Sequence, residues 1–124
     1  MGHRYQQMDI STASPEAIVA KLFQGAIRHA RRARDLEESS DLPARGQAIS
    51  KAVAIVGELR SSLDHERGGE IATNLSRLYN FVIDRLTEAN LRRAAQPIDE
   101  ALTVLSTLEE AWSELARRPR QGAA

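Results

Sequence analysis

Three of the four prolines, Pro15, Pro43 and Pro97, stand at the head of long stretches with helical periodicity. That placement constrains the fold more than any other feature. Proline has a fixed φ and no backbone N–H, so it suits a first helical turn and disrupts a helix interior. Ser14 precedes Pro15, and its hydroxyl can accept from a free amide one turn on. Glu16 then sets negative charge at the positive end of the helix dipole. A first helix is expected from about Pro15 to Glu38, with Ile18, Leu22, Phe23, Ala26, Ile27 and Ala30 on one face.

The second helix is expected to start at Pro43, after Asp41 or Leu42. Ile49, Val53, Val56, Leu59 and Leu63 form its stripe, widened by Ala48, Ala52 and Ile55. His65-Glu66-Arg67-Gly68-Gly69 reads as a break, because paired glycines tolerate positive φ. A third helix is expected from about Glu70 to Arg93. Its core stripe reads Ile71, Leu75, Leu78, Val82, Leu86 and Ala89, with Tyr79, Phe81 and Ile83 off the centre line. The fourth runs from Pro97 to about Arg117. Its apolar positions Ile98, Ala101, Leu105, Leu108, Trp112 and Leu115 make a heptad seam that predicts a largely buried Trp112. No segment sustains strand alternation. The expected fold is all-α: an antiparallel up-down four-helix bundle over residues 14–118, with an extended N-terminal tail at 1–13 and a flexible C-terminal tail at 119–124.

Composition narrows the function. Lys+Arg 17 balances Asp+Glu 17, which argues against nucleic acid as the main partner. Arg28, Arg31, Arg32 and Arg34 then read as a solvated face suited to a helix C-terminal half. No apolar run approaches the roughly 18 residues of a membrane span, and the N-terminus lacks a signal-peptide pattern. With no cysteine, a cytosolic setting is expected. His3, His29 and His65 are scattered and form no Glu-x-x-His pair. Asp99-Glu100 and Glu109-Glu110 are neighbours that point apart on a helix. Gly68-Gly69 is followed by no Lys-Ser/Thr, and Gly69 stands where a zinc-protease motif needs its second His. No enzyme, cofactor or metal site is expected.

Helices two and three carry more apolar residues than one seam uses. Such a surplus means a partner, a dimer or a larger core. Ile55, Leu59, Tyr79, Ile83 and Leu86 are the candidate groove, with Asn90 as a polar group on its flank. In the tail, Tyr5, Met8 and Ile10 either belong to a disordered end or fill that groove.

Several landmarks resemble those of one family in order and separation. They are Tyr5-Gln6-Gln7, Ile10, Thr12-Ala13-Ser14-Pro15 and Leu22-Phe23-x-Gly25-Ala26-Ile27. Lys51-Ala52-x-x-Ile55-x-x-Glu58-Leu59 and Ser62-Leu63-Asp64 come next. Then come Gly69-Glu70-Ile71-Ala72-x-Asn74-Leu75-x-x-Leu78-Tyr79, Arg85-Leu86-x-x-Ala89-Asn90 and Ala111-Trp112. Over about residues 5–117 the chain is similar to FliS, the flagellin-specific chaperone family of bacterial flagellar export. The resemblance implies a cytosolic bundle that binds the disordered C-terminal segment of flagellin, prevents premature polymerisation and delivers it to the export gate. It also implies an N-terminal segment that caps the groove. The chain departs from the pattern at Gly2, where an upstream tyrosine is usual, at Phe23-Gln24 in place of Tyr-Asp, and at Ala94 in place of an acidic residue. The alternative is a helical adaptor or homodimer acting on another export or regulatory protein.

Overall fold

A computed structural model describes residues 14–119. The tail residues Tyr5, Met8 and Ile10 lie outside the described residues, as does nearly all of the expected C-terminal tail. Four helices occur in order: α1 (Pro15–Asp35), α2 (Leu42–Ser61), α3 (His65–Arg92) and α4 (Gln96–Arg117). Each packs on its neighbours in sequence, and α4 closes the ring against α1. Cross-helix pairs fix the antiparallel sense. Arg34 near the end of α1 meets Asp99 at the start of α4 at 2.9 Å, and Arg60 late in α2 donates to Asn80 in α3 at 2.7 Å.

The helix starts arise from short polar side chains. Ser14 Oγ accepts from the Ala17 amide, Asp41 Oδ1 from Ala44 and Asp64 Oδ1 from Arg67, each at 3.1 Å. α4 begins without a side-chain cap, since Ala95 occupies that position. α1 ends at Asp35, three residues before the expected Glu38, in a turn through Ser40. α3 begins at His65 rather than Glu70. The expected break is a kink inside this helix, at Gly69 (φ 49°, ψ −123°).

The core joins all four helices. Phe23, Ala26, Ala30 and Ala33 of α1 meet Ala48, Ile49, Ala52 and Val56 of α2, and Val82, Leu86, Ile98, Ala101 and Leu105 complete it. Small residues let α1 lie close to α2: a Cβ on Gly25 would touch Ile55 Cδ1 at 3.4 Å. Phe23 and Tyr79 cross the bundle diagonal with ring centroids 6.0 Å apart.

The α3 seam differs from the expected stripe. Ala72, Tyr79, Val82, Leu86 and Ala89 are buried, whereas Ile71 is 71% and Leu78 39% exposed. Spacings of three and four fit either register. The register that brings Tyr79 onto Phe23 buries a large ring and leaves Ile71 and Leu78 outside. Trp112 is largely buried against the core, as the heptad seam predicts, whereas Leu115 at the end of that seam is 45% exposed.

One charge is built into the interior. Arg45, in the first turns of α2, is 3% exposed. Its guanidinium donates to Glu37 Oε2 at 3.0 Å and to the Ala89 and Ala94 carbonyls at 3.2 Å each. It thereby joins the α1–α2 turn to the end of α3, where Arg93 takes a left-handed conformation (φ 54°).

Candidate functional site

The end of the bundle opposite Arg45 is open. There α1 begins, α2 passes into α3, and α4 ends. Asp64 caps the first turn of α3, and the kink at Gly69 turns the rest of the helix away. That first turn lies close over the helix it precedes, since a Cβ on Gly68 would come within 2.8 Å of Ala72 Cβ. The deflected turn leaves a cleft of about 360 Å³ instead of a closed core.

The cleft is mainly apolar. Val19, Leu63, Leu75 and Trp112 wall it, Leu59 and Tyr79 form its floor, and Ile71 stands at its mouth. Ser62, Asp64 and Arg67 supply the polar rim, with Arg67 Nε 3.8 Å from Asp64 Oδ2. Burial pushes the Tyr79 phenol above its ordinary value, so it stays neutral. No group of three His, Asp or Glu residues able to hold a metal ion occurs among the described residues. What the cleft offers is apolar area.

That area continues along α3. Ile71, Leu78 and Phe81 (41% exposed) each stand one residue before a buried position, Ala72, Tyr79 and Val82, and follow one another at spacings of seven and three on the outer side of the helix. Partly exposed apolar side chains at this spacing match one face of an incoming amphipathic helix. The structure divides the residues proposed from the sequence. Leu59 and Tyr79 reach the cleft. Ile83 and Ile55 are partly buried against the core, Ile55 on the α1 side. Leu86 is 0% exposed and belongs wholly to the interior of the free chain. Asn90 is exposed near Gly46, at the Arg45 end. Sequence reasoning misses Leu63, Ile71, Leu78 and Trp112 as surface, because each fits a core stripe by periodicity.

No helix among the described residues is long and apolar enough to cross a membrane. Comparison with known proteins points one way. The family described as "Flagellar protein FliS" matches residues 1–119. The flagellar secretion chaperone FliS of Salmonella typhimurium is 46% identical over 108 residues, covering 86% of this chain and 80% of the relative. The flagellar secretion chaperone FliSB of Pseudomonas aeruginosa is 38% identical over 117 residues, covering 91% and 93%. The Bacillus subtilis flagellar secretion chaperone FliS is 25% identical over 117 residues, covering 94% and 86%.

Proposed function

The chain belongs to the FliS family of flagellar secretion chaperones, and on that premise we propose that it binds the C-terminal segment of flagellin in the cytosol. The observation that carries this reading is the apolar cleft at the Gly69 end, continuous with exposed Ile71, Leu78 and Phe81. A segment that is disordered when free and helical when assembled gains by burying its apolar stripe on such a row. Each large side chain covered contributes on the order of 1–2 kcal/mol, and ordering the segment offsets part of that sum. The outcome is a complex tight enough to block polymerisation and weak enough to release its cargo at the export gate.

The N-terminal tail acts with the same cleft in this proposal. Its attachment point, Ser14, lies little more than one helical turn before Val19, which lines the cleft. Tyr5, Met8 and Ile10 form a short apolar segment, and tethering gives it an effective concentration on the order of millimolar. The tail covers the cleft in the free chain and leaves when flagellin binds. Deleting residues 1–12 then tightens flagellin binding or promotes self-association, and no change in either rejects the cap. A homodimer through the α3 row is the second reading, favoured by the same exposed Ile71, Leu78 and Phe81.

The test is titration of the chain with flagellin that has, or lacks, its C-terminal segment. The proposal expects a one-to-one complex only with the intact protein. Equal binding of both forms overturns the client assignment, and a stable dimer that ignores flagellin establishes the second reading.

A further inference from the structure

A second cleft, of about 660 Å³, lies between α1 and α4 and shares no lining residue with the apolar one. Its character is different. The α1 wall presents Arg28, Arg31 and Arg32, and the α4 wall presents Glu109 and Glu110. Opposite charges do meet elsewhere between these two helices, at Arg34 and Asp99. Within the cleft they do not. Among the described residues, no ion pair within 4.0 Å involves Arg28, Arg31, Arg32, Glu109 or Glu110. Glu109 instead accepts from Ser113 Oγ along its own helix at 3.1 Å. The basic wall is also felt outside the cleft. His29 is held below its ordinary value by desolvation first, then by Lys51, Arg28 and Arg32.

We propose that this cleft docks a charged helical segment of a partner protein, whose carboxylates pair with Arg28, Arg31 and Arg32 while its Lys or Arg side chains meet Glu109 and Glu110. Guanidinium groups match carboxylates bidentately, so the basic wall selects for position as well as sign. The acidic wall decides the class of partner. A nucleic acid would bring a continuous row of phosphates past Glu109, Glu110 and Asp35, whereas a protein helix can carry both signs on separate edges. Exposed complementary charges govern specificity and association rate more than affinity, so the contact is fast and reversible. Because the two clefts share no residue, this partner and an occupant of the apolar cleft bind together.

The probe is a synthetic helical peptide with glutamates along one edge and lysines along the other, with binding read by fluorescence anisotropy at two salt concentrations. Binding is expected, and it weakens as salt rises. The double substitution Arg28→Glu with Arg31→Glu lowers affinity by about tenfold or more, and Glu110→Lys lowers it separately. A peptide whose acidic edge is changed to lysine then prefers the Arg28→Glu, Arg31→Glu variant over the parent chain. These positions are exposed, so each variant is expected to keep its helices, which circular dichroism checks. Failure of the peptide to bind, indifference to the substitutions, or stronger binding of single-stranded DNA overturns the proposal.

Discussion

Arg45 shows how one side chain can set the geometry of a bundle end. A buried guanidinium is costly unless its donors are used, and here they reach one carboxylate and two carbonyls from three different segments. Replacing it with Ala leaves the Ala89 and Ala94 carbonyls without this donor. Arg45→Ala is therefore expected to lower stability by about 2–4 kcal/mol, read as a shift of the urea midpoint. A change under about 0.5 kcal/mol would show that solvent replaces the guanidinium freely. His29 makes a smaller, pH-dependent contribution. Its folded pKa lies below the unfolded value of 6.5, so the unfolded chain binds the proton more readily. Stability from this group is full above that value and is lost as pH falls through the folded pKa. His29→Gln should flatten the decline in melting temperature between about pH 7.5 and pH 5.5, and an unchanged decline would assign it to other groups.

At the scale of the element, α3 carries the most information. Gly69 holds a backbone conformation that side chains with a Cβ rarely adopt, and the Gly68–Ala72 approach adds a steric limit beside it. Gly69→Ala is expected to destabilise by about 1–3 kcal/mol and to reshape the apolar cleft, measured by chemical denaturation and by amide exchange at residues 64–72. An Ala variant as stable as the parent would mean that the kink is not required. The same element marks the limit of sequence reading. Helix starts at Pro15, Pro43 and Pro97 are legible because a first-turn proline acts locally, joined at the first two by a side-chain cap. The α3 register is not, because Ile71–Leu78 and Ala72–Tyr79 satisfy the same spacing. Only the ring contact between Tyr79 and Phe23, distant in sequence, separates them. Arg45 is illegible for a related reason: its carbonyl partners are backbone groups that tertiary packing brings to it. The cleft floor at Leu59 and Tyr79 is legible as apolar, yet its walls and mouth at Leu63, Ile71 and Trp112 depend on how the helix ends overlap.

For the whole molecule, the two ends of the bundle are built differently. One end is held by Arg45, its carbonyl partners and the Arg34–Asp99 pair. The other holds the cleft, the kink and an exposed apolar row. A family of secretion chaperones needs both properties: a scaffold stable without its cargo, and apolar area kept available to it. The most direct measurement is calorimetric titration of Ile71→Asp against the isolated C-terminal segment of flagellin. Ile71 is 71% exposed, so the substitution leaves the core intact and alters the mouth of the cleft alone. The proposed site predicts an unchanged melting temperature and flagellin affinity reduced at least about tenfold, because an unpaired carboxylate must be desolvated against the client's apolar face. A folded Ile71→Asp chain that binds the segment as tightly as the parent would contradict it.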